Sequence, residues 1–309
     1  MLAEVTIGGR GNDTATALAV RSDGRVYITG RTQAYRNNFP VTDDALQPEC
    51  TYESAASDAS CSRDAFLLIL DANLQTRYSS FLGGNYFEQG DGIALDAQGN
   101  IAVVGTTDSA DFPVKNAVQP ACPDGPAPDN GRHCKSWASF VTKFTPDGKQ
   151  IVFSTYFSSS DWSADVVKDV AVDRAGVIHL LGTTNSTKYP IKDAFQPSLA
   201  TGICMNARSE RLCEDAVVTA IGPGGALVYS TYLGGKKEEY PYGIAADANG
   251  NVWIAGLTKS ADFPATADAF QPQKSLNEDV FLAKLGAASV GGQPDPRLSR
   301  KLYLPLVRR

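Results

Sequence analysis

The chain repeats itself four times, and internal repetition constrains a fold more tightly than any local propensity. Phe39-Pro40, Phe112-Pro113 and Phe263-Pro264 recur, with Tyr189-Pro190 as the variant, at intervals of 73, 77 and 74 residues. A Gln-Pro pair follows each: Gln47-Pro48, Gln119-Pro120, Gln196-Pro197 and Gln271-Pro272. Upstream, each copy has an apolar run between two glycines: Gly24 and Gly30, Gly99 and Gly105, Gly176 and Gly182, Gly250 and Gly256. Such a unit cannot bury its own apolar faces and must stack on its neighbours.

Each unit reads as four short strands. In the second, these are GIALD (92–96), NIAVVG (100–105), SFVTKF (139–144) and IVFSTYF (151–157). Their β-branched and aromatic residues suit a packed, pleated surface. Asp96-Ala97-Gln98-Gly99 and Asp247-Ala248-Asn249-Gly250 are tight turns, with Asp capping its own backbone and Gly supplying a positive φ. No segment has helical periodicity. Four-stranded antiparallel units repeated radially make a β-propeller. The predicted fold is therefore all-β: a β-propeller of four four-stranded blades. Ala19, Ala94, Ala171 and Ala245 hold one place in the first strand of every unit, where strands converging on an axis admit only small side chains. Their neighbours Leu18, Ile93, Val170 and Ile244 are expected to pack between blades.

The pattern around Gly243-Ile244-Ala245, Asp247, Gly250-Asn251, Gly256, Thr258, Ser260, Asp262-Phe263-Pro264, Ala269-Phe270-Gln271 and Lys284-Leu285 resembles the bacterial secreted β-propeller repeat, the SBBP repeat. Tyr229-Ser230-Thr231-Tyr232-Leu233-Gly234-Gly235 supplies its last-strand signature. The resemblance covers residues 4–285 and implies a propeller from an exported or surface protein, with no chemistry attached. Unit 1 departs from it at Arg21, where the family has Asp, and its Thr32-to-Phe39 segment is two residues longer than in the other units.

Ring closure is the next requirement. Glu4-Val5-Thr6-Ile7-Gly8-Gly9 matches the end of the fourth strand, as in Tyr232-Leu233-Gly234-Gly235, and unit 4 ends near Leu285 without that strand. The N-terminal strand is therefore expected to complete blade 4 and close the ring. The expected blades are 10–84, 85–159, 160–235 and 236–285 plus residues 4–9, within a propeller spanning 1–285. A fragment of a longer propeller is the other geometry. A linker (286–296) then leads to a basic, apolar strand (297–309). That strand holds five basic residues and no acid around Leu302, Tyr303, Leu304, Leu306 and Val307, so it is a candidate assembly strand. Pro305 restricts it to an outer position.

Six cysteines sort by unit: Cys50 and Cys61, Cys122 and Cys134, Cys204 and Cys213. All lie between Gln-Pro and the third strand. Unit 4 has no cysteine and a shorter interval there, 9 residues from Pro272 to Phe281 against 20 from Pro120 to Phe140. One local disulfide per inserted loop is expected, which places the chain in an oxidising, extracellular or cell-surface setting. A metal site is the alternative, but CxxC spacing is missing. No signal peptide is visible at the start. The three stapled loops are expected on one face, carrying Tyr52, Arg132, His133, Lys135, Trp137, Arg208 and Arg211 as a candidate binding face.

A net charge of −6 argues against nucleic-acid partners, and the chain has no apolar run long enough to span a membrane. Its two histidines, His133 and His179, fit no catalytic motif. The repeated Asp96, Asp173 and Asp247 have a structural role in turns and too few ligands for calcium. No catalytic residue, metal ligand or cofactor site is assigned, although a cation in the central channel stays open. Asn12 and Asn185 begin glycan sequons. Two functions follow. One is a non-enzymatic extracellular scaffold that binds itself, a glycan or a protein. The other is a secreted polysaccharide hydrolase or lyase working at the loop face.

Overall fold

The computed structural model describes residues 4–33, 38–50, 63–127, 133–161, 165–205, 210–247, 249–266 and 277–286, with positions 269, 271 and 273–275. Among them there is no helix, and no segment forms a helix long and apolar enough to cross a membrane. The chain divides into two compact units, residues 1–158 and 159–309.

Unit 1 contains two four-stranded antiparallel sheets. The first is β1 (Asp13–Val20), β2 (Val26–Thr32), β3 (Asp64–Leu70) and β4 (Thr76–Leu82), paired in chain order. The second is β5 (Glu88–Leu95), β6 (Ile101–Ser109), β7 (His133–Phe144) and β8 (Ile151–Tyr156), in the same order. Unit 2 repeats the plan. Its first sheet is β9 (Val166–Val172), β10 (Ile178–Thr184), β13 (Asp215–Ile221) and β14 (Leu227–Leu233). A separate two-stranded hairpin, β11 (Ile203–Met205) with β12 (Glu210–Leu212), is inserted between β10 and β13. The last sheet has three strands among the described residues: β15 (Glu239–Ala246), β16 (Val252–Thr258) and β17 (Asp279–Leu285).

Among the second and third strands, β3, β10 and β13 are buried on both faces, while β2, β16 and β17 keep partly exposed positions. Every residue of β3, β10 and β13 is enclosed, which explains apolar runs that do not alternate. Within each unit the first strand of the later sheet lies across the earlier sheet: β5 against β1, β2 and β3, and β15 against β9, β10 and β13. Ile93 on β5 and Ile244 on β15 enter the shared cores this way. Leu18, their counterpart on β1, is 64% exposed and Val20 is 61% exposed. The alanines of this strand are half-buried at Ala19, Ala94 and Ala171 and exposed at Ala245.

The repeated motifs have specific duties. Gly24, Gly99, Gly176 and Gly250 all take φ near 80°, between 78° and 85°, at the turn between first and second strands. There Asp96 accepts from the amides of Gln98 and Asn100, and Asp173 and Asp247 repeat the arrangement. The aromatic residue before each proline plugs the sheet. Phe39 lies 5.0 Å from Phe66, Phe112 4.5 Å from Phe140, and Phe263 4.8 Å from Phe281. The last-strand tyrosine locks this plug. Tyr156 donates its hydroxyl to Ser109 O at 2.7 Å and accepts the Phe112 amide at 3.1 Å.

Residues 4–9, expected as a strand, are not assigned to one. Ile7 packs on the core of the first sheet, as Leu82 does on the core it shares with the second sheet and Leu233 on the core it shares with the last. Linker residues 287–296 and the assembly strand 297–309 lie outside the described residues.

Tyr156→Phe removes a buried hydroxyl and strands one amide donor and one carbonyl. We expect a loss of about 1–3 kcal/mol, read as a lower urea midpoint with an unchanged slope.

Candidate functional site

The cysteine loops form hairpins of their own. Cys122 is bonded to Cys134, with Cα atoms 5.5 Å apart. Pro126 bridges Cys134, Ala127 N donates to His133 O at 2.8 Å, and Lys135 N to Gly125 O at 3.2 Å. These bonds extend β7 well beyond the expected strand start at 139. In unit 2, Cys204 is bonded to Cys213 with Cα atoms 5.0 Å apart, and β11 pairs with β12 so that Cys204 faces Arg211. Cys50 is also disulfide-bonded, while its expected partner Cys61 lies outside the described residues. Sequence patterning missed β11 and β12 because each is only three residues long.

Beside the unit 1 hairpin lies an aromatic cluster. The rings of Phe87 and Trp137 are 4.5 Å apart at 47°, and the Arg63 guanidinium stands 5.7 Å over Phe87. Tyr86 meets His133 edge-on at 5.1 Å. Trp137 remains 51% exposed. Of the expected face residues, His133 and Trp137 meet in this cluster. Arg211 is on β12 in unit 2 and pairs with Glu214 at 2.6 Å. Tyr52, Arg132 and Arg208 lie outside the described residues. Arg63, Tyr86 and Phe87 were not foreseen. A signal was present: Tyr86-Phe87 stands where the fourth repeat has Lys237-Glu238, an apolar pair in a polar slot.

The polar groups at the sheet ends serve structure. His179 is fully enclosed, with Nε2 3.1 Å from Asp173 Oδ2 and Nδ1 3.5 Å from the Tyr229 hydroxyl. Burial opposes ionisation of Asp173, but the His179 contact and two backbone amides outweigh it and lower its pKa. Asp96 is likewise held down against burial by Asn100 and by buried Lys143, whose Nζ is 2.9 Å away. Asn251, backbone amides and Trp253 bring Asp247 to about 2. Among the described residues, no group of three or more His, Cys, Asp or Glu could hold a metal. Of the sequon residues, Asn12 is exposed and Asn185 half-buried.

A second polar system recurs where one repeat hands over to the next. Gln47, Gln119 and Gln196, from the Gln-Pro motif, accept the amides of Gly83, Ser158 and Gly234 at 3.0, 2.9 and 3.0 Å. The next amide in the chain donates to an acid that opens the following first strand: Gly84 to Glu88 at 3.0 Å, Gly235 to Glu239 at 3.2 Å, and Ser159 to Asp165. A threonine ending the second strand completes each acid. Thr107 donates to Glu88 at 2.6 Å, Thr258 to Glu239 at 2.9 Å, and Thr184 to Asp165. Near the N-terminus, Gly9 donates to Asp13 at 2.7 Å and Thr32 to Asp13 at 2.5 Å.

Two of these acids face another carboxyl. A side chain on Gly234 would begin 2.5 Å from both Asp215 Oδ1 and Glu239 Oε2; one on Gly83 would meet Glu88 Oε2 and Asp64. All four acids are completely buried. Burial pushes Glu88 and Glu239 up to about 8 and Asp215 up to about 7.

With this geometry in view, residues 228–264 match the SBBP family, a beta-propeller repeat. The matched stretch contains Gly234, Gly235, Glu239 and Thr258 of one handover, whose glutamine, Gln196, precedes it. No curated protein matches the chain. Among solved structures, hydrazine synthase of Kuenenia stuttgartiensis aligns over 93% of this chain and 68% of its own, at 10% identity and a TM-score of 0.29.

Replacing Cys122 and Cys134 together by Ser frees the unit 1 hairpin in the unfolded and folded chain alike. We expect a cost of about 2–3 kcal/mol, seen as a lowered denaturation midpoint, and faster protease cleavage near Gly125.

Proposed function

We propose that this chain is a non-enzymatic extracellular or cell-surface β-propeller scaffold that binds a glycan or a protein through its stapled-loop face. The exposed Trp137, backed by Phe87 beside the Cys122–Cys134 hairpin, carries the reading. Large rigid aromatics bury much area at small entropic cost, and stapling holds them in place before a ligand arrives. Disulfides persist in oxidising compartments, which supports an exported protein.

In this reading the four sheets are the blades of one ring, and residues 4–9 take the outer position on β17. Three observations support it. Gly8 and Gly9 lead into Asp13 as Gly83 and Gly84 lead into Glu88, with the same amide-to-carboxylate bond. Gln271 is the repeat counterpart of Gln47 and Gln196, which cap such a glycine. Leu18 and Val20 are exposed on β1, whereas Ile93 and Ile244 at the Leu18 position are covered by a preceding sheet. Residues 297–309 then serve as an outer strand added to the chain's own sheet or to another copy. Head-to-tail addition would yield rings or filaments.

Trp137→Ala should lower binding to whichever polysaccharide or extracellular protein an array of candidates identifies, by at least about tenfold. Unchanged binding by this variant would remove the cluster from the site. Deleting 297–309 should abolish any concentration-dependent mass increase in light scattering. A full-length chain that stays monomeric at high concentration would exclude strand exchange between copies.

A further inference from the structure

The hydrogen bonds around Asp215 and Glu239 leave one acceptor unexplained. Asp215 Oδ2 takes the Gln196 side-chain amide and the Ala200 backbone amide, each at 3.0 Å. Glu239 Oε1 takes the Thr258 hydroxyl and Oε2 the Gly235 amide. Asp215 Oδ1 has no donor, although it is sealed from water. A buried acceptor left bare costs about 1–3 kcal/mol. The neighbour it faces across Gly234 is Glu239 Oε2. If both groups were ionised, two negative charges would lie together in a dry joint. If Glu239 carries a proton, its O–H supplies the donor that Asp215 Oδ1 lacks.

We propose that Glu239 and Asp215 share one proton as a carboxyl–carboxylate clasp, repeated by Glu88 and Asp64, which holds successive sheets together until alkali removes the proton. In unit 2 the clasp joins β13 to β15. In unit 1 it joins β3 to β5. The chain itself contains the contrast. Where the third strand opens with Asp64 or Asp215, the handover is Gly-Gly; where that position is Ala138, it is Ser158-Ser159. Gly83 and Gly234, the first of each pair, are needed because a Cβ there would occupy the space the two carboxyls share.

The surroundings favour a proton over a cationic partner. Towards Glu239 and Asp215 face Thr258 and Ser260 from β16 and its end, Asp262 after it, and Gln196 from the motif loop. Asp262 adds negative charge and accepts the Lys236 amide at 2.9 Å. Lys259 is engaged by Glu238 and Glu278, and Arg211 by Glu214. Among the described residues, Thr107, Ser109, Asp111 and Tyr156 stand around Glu88, and none of these is a cation.

The sign of the pH effect follows. In the unfolded chain both acids ionise near 4, while in the folded chain the pair keeps its one proton to about 8. Between those limits folding must take up a proton, so stability is full in acid, falls as pH rises, and levels off above about 8. One proton per clasp changes the folding constant about tenfold per pH unit inside that window. Glu239→Gln supplies an amide N–H to Asp215 without a titrating proton, so its urea midpoints across the window should lose that tenfold-per-unit slope. Equal slopes in wild type and Glu239→Gln would overturn the proposal. Infrared spectra of the unaltered protein at neutral pH give a reading that does not depend on a variant folding. They should contain the carbonyl stretch of protonated carboxyl groups, and Glu88→Gln should weaken it. A neutral-pH spectrum without that stretch would also overturn the proposal.

Discussion

The sheets depend on a seam of buried polar contacts that recur where one repeat hands over to the next. At each handover a glutamine, two backbone amides, an acid and a threonine form a chain of hydrogen bonds. Every member is buried or nearly so, and each comes from a different part of the repeat. Hydrophobic contact between sheets is plentiful but nearly isotropic, and it would tolerate sliding. Directional bonds to a buried carboxylate do not, because a shift of one residue leaves amides and oxygens without partners. The seam thus sets register between sheets while the Phe and Tyr plugs supply the bulk of the burial.

Much of this was legible before any coordinates. Three of the strand quartets, the Asp-x-x-Gly turns and the pairs Cys122–Cys134 and Cys204–Cys213 follow from spacing alone, since each is a short-range pattern that repeats. The acids of the seam were not recognised. Glu88, Asp165, Glu239 and Asp13 recur at one place in the repeat, but a charged residue at a strand start reads as a solvated end. Only burial reveals it as a core residue. The aromatic cluster is half legible: Trp137 and His133 lie in the inserted segment, whereas Tyr86 and Phe87 come from the connection between β4 and β5 and meet them through folding. The N-terminal segment was read as a strand from its Ile-Gly-Gly ending. That ending does occupy the repeat's handover position, while the residues before it are not assigned to a strand.

The inserted hairpins follow a different logic from the sheets that carry them. Each has little apolar material and a bridge in its place. The third repeat builds a two-stranded hairpin in the insertion; the second lengthens β7 instead. The inserted segments differ from repeat to repeat, yet each is anchored by buried cysteines, with Cys122 and Cys134 in the core of the first two sheets and Cys50 in that of the first.

The seam also decides where such a chain can be cut and rejoined. Its acid and threonine belong to one repeat, and its glutamine and glycines to the one before. A crossover placed between Gly84 and Glu88 would separate donors from acceptor and join partners that never evolved together. A crossover in the Asp96–Gly99 turn would part Glu88 from Thr107. The two halves of a handover come from successive repeats, so the structural module of this protein straddles two sheets and coincides with neither.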